Sequence, residues 1–175
     1  LSYLAHIPRT KVMLADEIAH ELMKKDTPCY QQICHAFSKE DILDAEGALD
    51  AGKMAKVIFS EEAKRNRMNA IVHPLVKEYV EQELRIEQEK GQLDFLFLEA
   101  ALLIEERYDA ICDELWYIYT SEEHRRERLI KSRGYSDEKI HKIMASKLTE
   151  EDFRRACQVV IDNNGTKEWS YEQIE

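Results

Sequence analysis

The sequence predicts an α/β protein with a parallel sheet and a large helical insertion. Four short apolar runs, typical of buried strands, occupy residues 11–15, 94–99, 114–119 and 159–161. Helical spacing of apolar residues separates them, which favours parallel strands joined by helices. Residues 28–91 carry helical patterns only. Because 5 glycines and 3 prolines are the only strong breakers in 175 residues, we expect helix to dominate.

The first strand leads directly into a helix. We interpret residues 1–5 as the end of a helix and residues 6–10 as a loop before the strand at 11–15. The apolar residues of the segment that follows, up to residue 25, share one helical face. Asp16 therefore lies at the junction between strand and helix.

Asp16 is the first candidate for chemistry. Open α/β sheets bind ligands at the carboxyl ends of their strands, where a carboxylate can orient a hydroxyl group or accept its proton. A helix cap is the alternative role for an aspartate in this place. Spacing alone leaves both roles open.

The helical insertion contains one histidine beside a proline. Residues 61–90 have a long helical pattern with His73 and Pro74 near its middle. Proline lacks a backbone donor, so we expect the helix to end or kink there. Packing or capping is the ordinary role of such a histidine, and catalysis is the alternative.

Five basic residues lie within nine positions of an otherwise acidic chain: Arg125, Arg126, Arg128, Lys131 and Arg133. Such a cluster suits polyphosphate recognition, because guanidinium groups bind pairs of oxygens. The alternative is a solvated helix face with interleaved glutamates as ion-pair partners. These partners would be Glu122, Glu123 and Glu127.

Turn and cap signals mark the second half of the chain. Thr120 with Glu123 predicts a capping box, and Thr149 with Asp152 predicts a weaker one. After the last strand, residues 162–165 (DNNG) predict a turn in which the glycine supplies a positive φ. An ordinary turn is the simplest interpretation of this segment.

Glu99 and Glu105 flank a short apolar run. They fit a paired-carboxylate site and, equally well, a sheet-edge ion pair.

Composition excludes several classes of protein. With 25 Lys+Arg against 35 Asp+Glu, the formal net charge is −10, which argues against a nucleic-acid coat because phosphate binding needs a broad basic surface. No apolar stretch approaches the roughly 20 residues that span a bilayer, so we expect no membrane segment. Cys29, Cys34, Cys112 and Cys157 show no zinc-site spacing and suggest the free thiols of a cytoplasmic protein.

The five glycines are isolated, so neither G-x-x-x-x-G-K-[ST] nor G-x-G-x-x-G occurs in these residues. The 175 residues contain no phosphate-binding loop of their own.

Five segments, taken in order, resemble the dephospho-coenzyme A kinase family over nearly the whole chain. Residues 14–19 (LADEIA) resemble the family segment DAD-x-I-A, residues 70–75 (AIVHPL) resemble I-x-H-P-L, and residues 102–105 (LLIE) resemble the end of P-L-L-F-E. Arg128 and Arg133 match two lid arginines, and residues 160–165 (VIDNNG) match V-I-D-N-x-G. Departures from the pattern are Leu14, Ala101, Lys147 and Cys157-Gln158.

The resemblance implies a P-loop kinase fold with a parallel-sheet core, a helical substrate domain and a helical lid. Residues 1–27, 93–120 and 158–175 would form the core, residues 28–92 the substrate domain and residues 121–157 the lid. The implied reaction moves the γ-phosphoryl group of ATP, with Mg²⁺, to the ribose 3′-hydroxyl of dephospho-coenzyme A.

The resemblance also implies roles for individual residues. Asp16 would orient and deprotonate the hydroxyl, while Arg128 and Arg133 would neutralise the phosphoryl group. Asn163 would lie near the adenine. On the acceptor side the resemblance places His73, Leu102 and Glu105.

Two other functions fit the residues. One is a P-loop nucleotide kinase with a different acceptor, and the other is a helical interaction module that has lost nucleotide binding. Leu1 follows the family's phosphate loop, so we expect G-x-x-x-x-G-K-[ST] shortly upstream. We also expect the 175 residues expressed alone not to phosphorylate dephospho-coenzyme A, because that loop's backbone amides hold the phosphates.

Overall fold

The computed structural model describes residues 1–145 and 148–174. They divide into two units, Leu1–Glu106 and Arg107–Glu175, and each is considered by itself. Lys147, one of the departures from the family pattern, lies outside the described residues. No helix within the described residues has the length and apolar character needed to cross a membrane.

The first unit combines a parallel strand pair with helices. A 3-10 turn at Leu4–His6 comes first, and the expected helix end at residues 1–5 is reduced to one turn in which Ala5 N–H donates to Leu1 C=O. The other elements are β1 (Thr10–Leu14), α1 (Ala15–Leu22), α2 (Pro28–Ala36), α3 (Ala51–Ser60), α4 (Glu62–Lys90) and β2 (Phe95–Glu99). The predicted helical insertion is confirmed as α2 to α4.

β1 and β2 pair in parallel, from Thr10 opposite Phe95 to Leu14 opposite Glu99. Both strands therefore end at the same edge, which positions the residues that follow each of them. A half-buried ion-pair cluster ties β1 to α4, because Lys11 Nζ lies 2.7 Å from Glu83 and 2.8 Å from Glu87. The hydrogen bonds that Lys11 donates to Glu83 and then to Glu87 raise the pKa of Lys11, because they favour its charged form.

The sequence predicts that helix α4 ends or kinks at Pro74, and the first of these outcomes is wrong because the helix continues through the proline. The buried residues of the helix recur every four positions on both sides of the proline: Met68, Val72, Val76 and Val80. Burial of this stripe favours one continuous helix, and it outweighs the roughly 3 kcal/mol that an interior proline costs. The stripe keeps His73 on an ordered helical surface.

The second unit contains the other strand pair. Its elements are a 3-10 turn (Tyr108–Ala110), β3 (Trp116–Tyr119), α5 (Glu122–Arg133), α6 (Asp137–Ala145), α7 (Glu150–Ala156), β4 (Val159–Asp162) and α8 (Lys167–Glu172). β3 and β4 are parallel, with Tyr119 opposite Asp162 at their carboxyl ends. Tyr117 stacks on Phe153 of α7, with ring centroids 4.9 Å apart. The predicted parallel pairing of strands joined by helices is confirmed in both units.

Two local predictions in this unit need correction. The cap of α5 is Ser121, whose side chain accepts from His124 N–H, and not Thr120, which is buried. Gly165 does not belong to the residues with positive φ. A Cβ there would lie 3.1 Å from Cδ1 of Trp169, so the Trp169 ring would have to shift slightly to make room for a larger residue.

The capping box of α7 is confirmed in full. Thr149 Oγ1 accepts from Asp152 N–H, and the Asp152 carboxylate accepts from Thr149 N–H at 3.1 Å. We expect Thr149→Ala to lower the free energy of unfolding by about 1 kcal/mol, since it removes the side-chain cap. Urea denaturation of the variant measures this loss. Thr149→Ser keeps the hydroxyl and is the matched control, so equal losses in both variants would contradict the capping role.

Candidate functional site

Asp16 lies at the carboxyl edge of the β1–β2 pair. Ala15 is the first residue of α1, Asp16 is the second, and Leu14 occupies the N-cap in extended conformation. Asp16 is therefore not the N-cap residue, and it makes no side-chain hydrogen bond or ion pair with the residues that the structure describes. Its side chain is exposed.

The position of Asp16 suits an ionised carboxylate. The first turn of a helix favours negative charge, because its backbone N–H groups point outward without partners. An exposed carboxylate with all its acceptor positions free can accept the hydrogen of a hydroxyl group. The geometry therefore keeps open the role of a base at this edge.

The two other predicted carboxylates, Glu99 and Glu105, are exposed as well. Glu99 ends β2 opposite Leu14, so it lies at the same strand edge as Asp16. Neither glutamate forms an ion pair within residues 1–145 and 148–174, and the sheet-edge ion pair expected as their alternative role is absent there. The structure gives no contact between Glu99 and Glu105.

His73 contacts a glutamate that the sequence did not single out. Its Nδ1 lies 2.7 Å from Oε1 of Glu106. From the next turn of α4, Lys77 Nζ donates to the backbone carbonyl of Glu106 at 2.9 Å. The two helix residues, four positions apart, thus hold Glu106 through both its side chain and its backbone.

Leu102 belongs to the same arrangement. Its carbonyl accepts from Glu106 N–H at 2.9 Å, which closes a helical turn over residues 102–106. This turn directs Glu106 toward His73 and leaves Glu105 exposed. Two adjacent glutamates look alike in the sequence, so only the geometry of the turn distinguishes them.

A tight turn follows β4 in the second unit. Asn163 N–H donates to the carbonyl of Tyr119 at the end of β3, over 2.8 Å. The side-chain oxygen of Asn164 accepts from Ser121 N–H at 2.8 Å, and Asp162 Oδ1 accepts from Asn164 N–H at 2.9 Å. These bonds fasten the turn to the end of β3 and to the start of α5.

Arg128 and Asn163, both predicted from the sequence, are brought together. Arg128 Nη2 donates to the backbone carbonyl of Asn163 at 2.7 Å, and the Asn163 side-chain oxygen accepts from Ser170 Oγ at 3.3 Å. A guanidinium has five N–H donors. The Arg128 side chain is largely exposed and retains donors for an anion.

The remaining basic residues of α5 have different surroundings. Arg126 forms an exposed ion pair with Asp137, with Nη2 2.9 Å from Oδ1. Arg133 lies at the end of α5 beside Tyr135, whose pKa it lowers by hydrogen bonding. Among the described residues, none of the cluster's basic side chains forms the predicted ion pairs with the interleaved glutamates. The structure therefore brings Arg128, and not Arg133, to the Asn163 turn.

Magnesium would need oxygen ligands from this chain. The described residues contain no group of three or more His, Cys, Asp or Glu side chains that could hold a metal ion. Mg²⁺ usually binds through one or two carboxylates together with substrate phosphates and water, without a cage made entirely of protein. The exposed carboxylate of Glu99, at the same strand edge as Asp16, fits that limited requirement.

Two solved structures share the fold. The crystal structure of TT1252 from Thermus thermophilus superposes with a TM-score of 0.75 at 21% identity, over 94% of this chain and 81% of that one. A dephospho-CoA kinase from Campylobacter jejuni gives a TM-score of 0.66 at 19% identity, over 94% of this chain and 82% of that one. The predicted α/β kinase-like fold is confirmed.

Sequence relatives agree with the fold. The chain is 34% identical to a dephospho-CoA kinase from Carboxydothermus hydrogenoformans, over 91% of this chain and 77% of the relative. It is 33% identical to a dephospho-CoA kinase from Geobacter sulfurreducens, over 94% of this chain and 82% of the relative. The family model of dephospho-CoA kinase (CoaE) matches residues 2–168. The chain belongs to the dephospho-CoA kinase family.

Proposed function

We propose that this protein transfers the γ-phosphoryl group of ATP to the ribose 3′-hydroxyl of dephospho-CoA, the last step of coenzyme A biosynthesis. The observation that carries the proposal is the exposed Asp16 carboxylate, without a partner among the described residues, at a strand edge of a chain in this family. Other exposed carboxylates, such as Glu17, also lack an ion pair within the described residues, and Asp16 differs from them in lying directly after β1 within the segment that resembles the family pattern. Asp16 is free to meet a substrate.

Asp16 acts on the acceptor hydroxyl. The hydroxyl donates its hydrogen to the carboxylate, its oxygen attacks the γ-phosphorus, and the bond from that phosphorus to the bridging oxygen of ADP breaks. The proton passes to Asp16 as the new P–O bond forms. Orientation and proton acceptance are the whole contribution of this residue, because phosphoryl transfer depends mainly on positioning and charge stabilisation.

Arg128 acts on the transferring phosphoryl group. Its guanidinium donates a hydrogen bond to the Asn163 carbonyl, which already restricts the side chain. Binding an anion therefore costs less side-chain conformational entropy. Arg133 provides a second positive charge, and Asn163 lies near the adenine in this proposal. Mg²⁺ bound with ATP would offset the negative charge of the phosphate groups, and the exposed Glu99 carboxylate would be its ligand from this chain.

His73, Leu102 and Glu105 serve the acceptor side, within a substrate domain over residues 28–92. The hydrogen-bonded turn at residues 102–106 supports this grouping, because it holds the segment of Leu102 against the helix of His73. The core over residues 1–27, 93–120 and 158–175 and the lid over residues 121–157 complete the proposed division. We place the protein in the cytoplasm, where free thiols persist.

A panel of acceptors tests the proposed function. The protein expressed from its full reading frame is incubated with ATP and Mg²⁺, and ADP release is followed with dephospho-CoA, adenosine or AMP as acceptor. Phosphorus NMR of the product locates the new phosphate. We expect turnover with dephospho-CoA and a 3′-phosphate, whereas turnover with AMP alone would assign another nucleotide kinase. Absence of turnover with every acceptor would favour a non-catalytic module.

His73→Ala separates the acceptor side from the nucleotide side. We expect the variant to raise KM for dephospho-CoA by roughly tenfold, which corresponds to the loss of about one hydrogen bond, while KM for ATP stays nearly unchanged. Steady-state kinetics with each substrate varied measure both constants. A selective rise in the ATP constant would contradict the placement of His73.

A further inference from the structure

Glu106 has no role in the reaction as described, yet three interactions hold it. Its side chain lies 2.7 Å from His73 Nδ1, its carbonyl accepts from Lys77 and its N–H donates to Leu102. Each anchoring residue belongs to the first unit. A glutamate fixed at its side chain, carbonyl and amide presents its carboxylate to the histidine in one geometry.

The contact determines which nitrogen of His73 carries the hydrogen. An ionised carboxylate only accepts hydrogen bonds, so the Nδ1 atom at 2.7 Å must carry the hydrogen and donate it to Glu106. In the neutral ring, Nε2 then has a free lone pair and is an acceptor. The His73 side chain is 27% exposed, and Nε2 has no hydrogen-bond partner among the described residues.

We propose that Glu106 is a positioning residue: it orients the His73 ring so that Nε2 accepts a hydrogen bond from a neutral donor group of dephospho-CoA, an amide N–H or a hydroxyl. The inference rests on the proposed function, since it assigns the substrate side of that site. A lone pair on Nε2 repels the pyrophosphate oxygens, which are themselves acceptors, and it selects the donor-bearing part of the substrate. Glu106 itself does not touch the substrate and acts through His73.

Two variants of Glu106 separate this role from simple packing. Glu106→Ala removes the acceptor for Nδ1–H, and we expect KM for dephospho-CoA to rise about five- to tenfold while KM for ATP and kcat change less than about twofold. Glu106→Gln keeps a side-chain oxygen in place and should restore most of the loss. Glu78→Ala is the matched control, because Glu78 is exposed on α4 beside Lys77 and has no partner among the described residues.

Nitrogen NMR of labelled histidine gives a readout that does not depend on activity. At about pH 8, where an ordinary histidine is neutral, we expect the wild-type His73 signals to show a protonated Nδ1 and an unprotonated Nε2. In Glu106→Ala the two tautomers should mix. The double variant His73→Ala/Glu106→Ala should resemble His73→Ala alone, because Glu106 acts only through the ring.

The outcomes distinguish this inference from the proposed function. A wild-type protein that does not phosphorylate dephospho-CoA overturns the proposed function, and the substrate contact with it. Wild-type activity with Glu106→Ala kinetics like those of Glu78→Ala overturns the positioning role alone. A His73 ring protonated on both nitrogens in the substrate complex also overturns it, because Nε2 would then donate to an anion.

Discussion

The substitution Asp16→Asn is expected to lower kcat by roughly 10²–10⁴ while leaving the affinity for ATP nearly unchanged. Asparagine keeps the size and polarity of the side chain but removes the negative charge and the ability to accept a proton. The substitution costs little stability, because the Asp16 side chain is exposed and has no partner among the described residues. Rapid-mixing or steady-state assays measure kcat, and titration with a fluorescent ATP analogue measures affinity.

Glu17→Gln is the matched control for this prediction. Glu17 follows Asp16 in the first turn of α1, is exposed and forms no ion pair within the described residues. Both substitutions remove one negative charge from the same helix end, so a general electrostatic effect would lower kcat equally in the two variants. Near-wild-type kcat in Asp16→Asn would reduce Asp16 to a favourable charge at the helix terminus.

The strands were predictable because their signal is local. A buried parallel strand is apolar on both faces, and the runs at residues 11–15 and 94–99 differ from β1 and β2 by only one residue at their ends. The position of Asp16 after the first strand followed from that boundary. The pairing of Leu14 with Glu99 required the structure, because the register between strands 80 residues apart leaves no local trace.

The features that were missed depend on distant contacts. Taken alone, Pro74 predicts an end or a kink in the helix. Burial of the stripe from Met68 to Val80 nevertheless stabilises one helix that continues through the proline. Glu106 was overlooked beside Glu105 because its partners, His73 and Lys77, lie about 30 positions earlier on α4. Propensity describes the cost of a local conformation, whereas packing and hydrogen bonds with distant residues decide whether it forms.

Arg128→Ala is expected to lower kcat by roughly 10²–10³ and to change KM for ATP by less than about threefold. A positioned arginine stabilises charge that develops on the transferring phosphoryl group, and removing one such donor costs about 3–4 kcal/mol of transition-state stabilisation. The hydrogen bond from Arg128 to the Asn163 carbonyl holds the guanidinium in a fixed place. Arg128→Lys keeps the charge but loses the two-pronged geometry, so an intermediate kcat should result.

Arg126→Ala provides the control, two positions away on the same helix. Arg126 has no match in the family pattern and forms an exposed ion pair with Asp137, which contributes at most about 1 kcal/mol to stability. The variant removes one positive charge from α5, as Arg128→Ala does, and should keep near-wild-type kcat. If both variants lose activity equally, the basic residues act as a diffuse charged surface and Arg128 has no specific role. A large fall in kcat for Arg128→Ala alone identifies Arg128 as the residue that contacts the phosphoryl group. The two variants remove equal charges from one helix, so only a contact made in the transition state explains why kcat falls in one variant and not in the other.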